Sequence, residues 1–327
     1  MEKSIVDWYR STDTQTLTSK AKQVCTAVHG PAVLLRGLIE FSNYCRRNCL
    51  YCGIRRSNTR VQRYRLSDQQ IKTAVREGFA RGLRTFVLQG GEDPGFGDER
   101  LMRLIGWIKE HTGGQAAVTL SLGTLSRQRY TQLYRAGADR YLIRFETSDP
   151  QLHRYLRDGS SLEQRLAAIR DIQDIGYMTG TGYMVGLPGE NEDIRIENAL
   201  LAYRLQADMV GIGPFIPHPA TPLREAPAQP LELTLRATAL ARLLLPKAHI
   251  PATTAAGSLE SDGREQALEA GANVLMPNLT PTDQKKDYLL YPGKICLEES
   301  GIHCIGCLAA RVQPLGRELS FDIGGAL

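Results

Sequence analysis

Long apolar runs are missing from this chain. No stretch approaches the roughly 18 uninterrupted apolar residues of a membrane span, so no membrane partner is expected. The N-terminal "MEKSIVDWYRSTDTQ" is polar and has no apolar core, which excludes reading it as a secretory signal. There is no long basic run and nothing shaped like an RNA-binding module, and the net charge of +5 is modest, so no nucleic-acid partner is expected. Low-complexity segments and a clean domain linker are absent too. These absences point to a chain that stays in a reducing cytoplasm. There, its seven cysteines read as ligands or buried thiols rather than disulfides.

What is present is a concentration of thiols. Cys45, Cys49 and Cys52 fall in "IEFSNYCRRNCLYCGIRR" with the spacing C-x3-C-x2-C, directly after an apolar, strand-like run. Three cysteines can hold three irons of a 4Fe-4S cube and leave the fourth iron open to a small molecule, whereas a cluster that only carries electrons normally has four cysteine ligands. A four-residue span reaches about 14 Å at most, so the loop must curl around one cluster. Gly53 permits that tight path. A zinc knuckle, a disulfide with a spare thiol, or three buried thiols are the alternatives. Zinc usually takes four ligands, and no fourth Cys or His lies nearby in the sequence, which favours iron–sulfur.

The chain alternates strand-like and helix-like segments. Apolar runs at 32–41, 84–89, 116–122, 139–145, 177–185, 207–213, 249–255 and 272–277 predict strands, separated by amphipathic stretches such as 67–81, 126–136 and 231–245. Ser67 and Ser126 are expected N-caps, and Gly82, Gly137, Gly176 and Gly271 follow helices where a left-handed position favours glycine. Eight such units predict an α/β fold: a complete (β/α)8 TIM-type barrel over 32–279, preceded by helices in 1–31 and followed by a cysteine-bearing extension, 280–327. A doubly wound open sheet is the alternative. In a barrel the strand ends meet on one face, which gathers Gly90, Gly91 and Glu92, then Thr119 and Ser121, Arg144 and Glu146, "MVGLPGE", and Thr253 and Thr254.

Other residues invite a chemical reading. Arg36 sits inside an apolar strand, which is costly unless an anion pairs with it. Thr253, Thr254, Tyr288 and Tyr291 offer hydroxyl donors. Cys296, Cys304 and Cys307, spaced C-x7-C-x2-C in a polar segment, suggest a second iron–sulfur cluster, 2Fe-2S or 4Fe-4S. Arginines 46, 47, 55, 56, 60, 63 and 65 form a dense cationic stretch, read either as a solvated loop or as a docking face for an acidic electron donor.

The cysteine motif with an aromatic before its last thiol resembles the radical S-adenosylmethionine (SAM) superfamily. Together with "VLQGGEDP", "VTLSLG", "DRYLIRFET", "MVGLPGE", "VGIGPFIPHPATPL", "IPATTA" and "LYPGKIC", it resembles more narrowly the HydE family of FeFe-hydrogenase maturases. The resemblance implies a complete barrel and a 4Fe-4S cluster whose open iron is chelated by SAM. Reductive cleavage of SAM to a 5'-deoxyadenosyl radical follows from it as well. It sets the Gly90-Gly91-Glu92 turn against the methionine amino group and Arg165 against the SAM carboxylate. Glu146 is expected near the ribose or amine, and Val185 to Leu187 beside adenine, with Thr119, Ser121 and Arg144 in the same pocket. It makes Arg36, Thr253, Thr254 and Tyr288 an anion pocket. The implied substrate is a small organometallic iron species with cysteine, carbon monoxide and cyanide ligands, supplied by another hydrogenase maturase, with a ferredoxin- or flavodoxin-type electron donor. The implied second cluster belongs to only part of the family. A biotin synthase-like or methylornithine synthase-like enzyme is the nearest rival, and a non-catalytic iron–sulfur carrier the more distant one.

Overall fold

The computed structural model describes residues 2–157 and 159–326. Two helices open the chain, α1 (Glu2–Ser11) and α2 (Thr14–His29). Asp13 starts the second by accepting a hydrogen bond from the Thr16 amide at 2.9 Å, which satisfies one of the otherwise orphaned first-turn donors.

The first expected strand appears as two, β1 (Ala32–Leu35) and β2 (Gly37–Ser42), interrupted at Arg36. The chain then runs through α3 (Asp68–Ala80), β3 (Thr85–Gly90), α4 (Asp98–His111), β4 (Ala117–Ser121), α5 (Arg127–Arg135) and β5 (Arg140–Leu142). It continues with α6 (Pro150–Leu156), α7 (Leu162–Ile175), β6 (Met178–Val185), α8 (Glu192–Arg204), β7 (Met209–Pro214) and α9 (Leu231–Leu244). Ser67 and Ser126 cap their helices, accepting from the Gln70 and Arg129 amides. Gly82, Gly137, Gly176 and Gly271 all have positive φ at helix ends, as the spacing predicts. Strands β2 to β7 form one parallel sheet in chain order. That order follows from βαβ units whose strands each pair with their neighbour through an intervening helix.

The two last strands differ from expectation. Residues 249–255 form no full strand. Met209 bridges His249, and Pro251 bridges Val274. Thr253 is instead the N-cap of α10 (Thr254–Leu259), its hydroxyl accepting from the Ala256 amide. A short helix α11 (Gly263–Glu269) leads to β8, which is only Val274–Leu275. Pro251 and Pro277 have no N–H to give to a ladder, so the pairing around them is limited to single bridges and carbonyl acceptance, as from Leu38 at Pro277. Among the described residues the hydrogen-bonded sheet is therefore six-stranded, with isolated bridges from β7 through 249–251 and 274–278 back to Leu38. Among the described residues no closed eight-stranded sheet is formed.

Beyond β8 lie α12 (Thr282–Lys285), α13 (Gly301–Val312) and β9 (Glu318–Ser320), and β1 sits between β8 and β9 in a three-stranded parallel sheet. The tail then crosses to other strands: Arg140 donates to the Ile323 and Gly324 carbonyls, and His249 Nε2 to that of Gly325. No described helix is long and apolar enough to cross a membrane. The main apolar core lies between the sheet and its helices. A smaller buried cluster of Leu156, Met184, Leu187, Phe215 and Leu223 sits beside Leu50 and Tyr51.

Candidate functional site

The loop after β2 carries the three thiols, and neighbouring elements hold its backbone. The Gly91 amide donates to Ser42, the Arg46 amide to Glu92, the Leu50 amide to Leu156 and the Gly53 amide to Leu290, at 2.9–3.0 Å. Two glycines allow this closeness. A Cβ on Gly91 would stand 2.2 Å from the Tyr44 carbonyl, and one on Gly53 2.0 Å from that of Leu289. The Arg63 guanidinium gathers the carbonyls of Asn43, Ile54, Arg55 and Asn58, so the fork of one side chain ties the loop together. The cationic stretch is thus partly internal: Arg47 pairs with Glu92 at 2.6 Å and Arg65 with Asp93 at 2.7 Å. Arg46, Arg56 and Arg60 are exposed.

Cys45, Cys49 and Cys52 line a cavity of about 320 Å³ at the carboxyl ends of the strands. Burial pushes the Cys52 thiol above its ordinary value, and Cys49 and Cys45 add to the rise; burial likewise raises Cys45. The same cavity is lined by Gly90, Gly91, Glu92, Ser121, Arg144, Glu146, Arg165, Thr253, Thr254 and Tyr288. Four other expected site residues do not line it. Arg36 is buried with its Nη1 2.9 Å from the Met209 sulfur, and Thr119 is buried with an unpartnered hydroxyl. Val185 belongs to the main core and Leu187 to the smaller cluster.

Charge in the cavity is dense and interlocked. Glu92 meets Arg47, Arg46 and Arg157, and Glu146 meets Arg144 at 3.0 Å and Arg157 at 3.6 Å. Burial alone would raise the Glu92 carboxyl, but Arg165, Arg47 and Arg157 together hold it below the usual carboxylate value. Glu146 has φ 71°, a left-handed backbone that a non-glycine residue adopts at some cost and that is common where a side chain must be aimed. Arg165 donates to Thr124 Oγ1 at 3.0 Å, yet its buried Nε has no partner. Burial, then repulsion from Arg157, lowers its pKa, against the attraction of Glu92 and Glu146.

Sequence reasoning missed several lining residues. Arg157 carried no local signal in "HRYLRDGS". Glu40 was legible as a lone carboxylate in an apolar strand, and Lys294 lay inside the quoted "LYPGKIC". Gln89 Nε2 donates to Tyr288 Oη at 3.4 Å. His153 and His218 behave as packing residues: His153 Nδ1 lies 2.9 Å from the Phe145 carbonyl, and burial lowers its pKa to about 4.

Cys296 and Cys304 meet away from the cavity, and Cys307 is exposed three residues further along the chain. Cys296 (φ 62°) precedes α13, which carries the other two. A hydrogen bond with Cys304 lowers the Cys296 pKa, and Arg264 and Lys285 also favour its thiolate. Among the described residues no three His, Cys, Asp or Glu side chains are grouped so as to hold a single metal ion.

The donor set of the cavity fits a multi-iron cluster with a zwitterionic partner. Three thiols line one space, and their mutual repulsion is the kind that bound cations relieve by taking thiolates as ligands. The unpartnered buried Arg165 Nε belongs to the same lining, as does Glu146, whose Oε2 is ion-paired with Arg144. Residues 39–202 match the radical SAM superfamily. This chain is 47% identical over 296 residues to the FeFe-hydrogenase maturase subunit HydE of Thermotoga maritima, covering 90% of this chain and 84% of that one. It is 30% identical to 3-methylornithine synthase of Methanosarcina acetivorans, over 81% of this chain and 74% of that one. The crystal structure of methylornithine synthase (PylB) superimposes with a TM-score of 0.81 at 27% identity, covering 98% of this chain and 94% of that one. A parallel α/β sheet with three loop thiols at its carboxyl end is the arrangement of a radical SAM enzyme, the class that implies a 4Fe-4S cluster and SAM. Within that superfamily the chain belongs to the HydE family.

Proposed function

We propose that this enzyme cleaves SAM reductively and acts on a small, cysteine-bearing iron carbonyl/cyanide precursor during assembly of the FeFe-hydrogenase active site. The observation that carries the reading is the convergence of Cys45, Cys49 and Cys52 with Glu92, Glu146 and Arg165 on one cavity. When bound, cluster and SAM supply one-electron cleavage of a carbon–sulfur bond and a carbon radical.

The chain's residues supply position. The three thiols hold the cluster. Arg165, whose buried Nε has no partner, takes a carboxylate, which a guanidinium fork suits. Glu92 and Glu146 take the amine and ribose hydroxyls, and the Gly90–Gly91 turn gives them room. Val185 to Leu187 back the adenine. Ser121 and Arg144 complete that side, and Thr119, off the lining, stands two residues earlier on β4. The substrate lies below, toward Arg36, Thr253, Thr254 and Tyr288, where Arg36 Nε and Nη2 have no partner. The bridges through 249–251 and 274–278 support reading residues 32–279 as a barrel-like enclosure of eight units, with 1–31 and 280–327 as additions. Cys296, Cys304 and Cys307 hold a second iron–sulfur cluster. Arg46, Arg56 and Arg60 face an acidic ferredoxin- or flavodoxin-type donor, and another maturase supplies the substrate.

The 47% identity to a HydE protein supports this substrate class over the methylornithine synthase and biotin synthase classes. The reconstituted enzyme is offered, anaerobically, an iron–cysteine carbonyl/cyanide complex, lysine or dethiobiotin. Substrate-dependent 5'-deoxyadenosine with the iron complex alone is expected. Turnover of lysine or dethiobiotin instead would overturn the substrate assignment, and no SAM cleavage under dithionite would leave a cluster carrier.

A further inference from the structure

Arg157 has none of the roles assigned above, yet its side chain is tied to three separate parts of the site. It is the residue that ends α6, with its side chain only 8% exposed. Its Nη1 donates to Tyr51 Oη at 2.7 Å and lies 3.6 Å from Glu146 Oε1, while its Nη2 lies 3.6 Å from Glu92 Oε1. Its Nε is buried without a partner. Burial would lower its pKa, but Tyr51, Cys49, Glu146 and Glu92 together keep the guanidinium above its ordinary value, so the charge is permanent.

Tyr51 lies between two of the three cysteines, and the backbone around Arg157 is stitched to the same loop. The Leu50 amide donates to the Leu156 carbonyl at 2.9 Å, and Arg47 Nη1 to the Gly159 carbonyl at 2.8 Å. One guanidinium therefore touches the thiol loop through Tyr51, the end of β3 through Glu92 and the segment after β5 through Glu146. Two carboxylates drawn into one buried space repel each other, and a planar cation facing both fixes their direction.

We propose that Arg157 is the positioning residue that locks the thiol loop and the two acidic strand ends into one frame, so that the cluster and SAM meet in a fixed relation. This rests on the radical SAM reading of the cavity. Arg157 acts through Tyr51, Glu92 and Glu146; a lysine in its place keeps the charge, but its single nitrogen cannot span partners that the guanidinium meets through two separate nitrogens.

The test uses the anaerobically reconstituted full chain, wild type, Arg157→Lys, Tyr51→Phe and the double variant. Iron content and thermal melting serve as controls for folding, SAM affinity is measured by calorimetry, and the reduced cluster is watched by electron paramagnetic resonance with and without SAM. In Arg157→Lys, with iron content kept, SAM affinity is expected to fall by roughly tenfold or more, the scale of a lost hydrogen bond to a charged group. The SAM-induced spectral change should be altered in shape. Tyr51→Phe should give a smaller loss, and the double variant should bind no worse than Arg157→Lys, because the two act as a unit. Wild-type affinity and an unchanged spectral response in Arg157→Lys, or strictly additive losses in the double variant, would overturn the proposal alone. A wild-type spectrum that ignores SAM would overturn the cavity reading as well.

Discussion

Lys294 Nζ and Glu40 Oε1 stand 2.6 Å apart in the wall of the cavity, each side chain less than a tenth exposed. Asn278 donates to the other Glu40 oxygen, and Lys294 also donates to the Tyr288 carbonyl. One end of the pair is on the first half of the sheet and the other on the segment after β8. That segment also takes hydrogen bonds from the thiol loop, at Asp287 from Asn43 and at Leu290 from Gly53. The pair is thus a buried pin that holds the Tyr288 segment at the cavity wall.

Breaking the pin from one side leaves a buried charge alone. Lys294→Met is expected to destabilise the protein by about 3–5 kcal/mol. The Lys294→Met/Glu40→Gln double variant should recover a large part of that loss, since no uncompensated charge is left. Chemical denaturation of the two variants checks it. Equal or additive losses would mean that the pair is not a unit.

The two cysteine groups should separate cleanly. Cys45→Ala or Cys52→Ala is expected to abolish 5'-deoxyadenosine formation, because each thiol lines the cavity. Cys304→Ala is expected to leave most of it, because Cys304 lies on α13 outside that lining. Product analysis after anaerobic reconstitution decides. Activity retained by the first two variants would contradict the cluster assignment.

Glu190 makes stability depend on pH in a direction opposite to most carboxylates. Burial raises its pKa to about 7 from 4.5, against the Gly186 amide and Arg195. The folded protein therefore keeps a proton that the unfolded chain releases, and ionisation opposes folding. The stabilising contribution is full below pH 4.5 and declines as pH rises toward 7, on the order of 3 kcal/mol in total. Glu190→Gln should flatten this part of the stability profile. Denaturation midpoints from pH 4.5 to 7.5 in both proteins test it, and parallel profiles would rule it out.

The tail past β9 is expected to matter more than its length suggests. Its carbonyls accept from Arg140 and His249, both almost wholly buried. Ending the chain at Ser320 leaves these donors unpaired, at about 1–3 kcal/mol each. A lower melting temperature with unchanged iron content is the expected outcome, read by circular dichroism and iron analysis. An unaltered melt would show that water replaces the tail.

Local chemistry wrote the readable part of this protein. Thiol spacing, the Ser67 and Ser126 caps, the glycines that end helices, and the alternation of strand and helix all depend on residues a few positions apart, so they stand in the sequence itself. The same reasoning overreached at 249–255, where regular pairing was expected. There Pro251 has no N–H to donate and the Thr253 hydroxyl favours a helix start. What only the tertiary structure decided is the company these residues keep: Arg157 between Tyr51, Glu92 and Glu146, Lys294 on Glu40, and the tail under Arg140. Each joins positions distant along the chain, and each involves a charge whose burial is tolerable only with its partner present. Folding alone creates that condition, so no local pattern announces it.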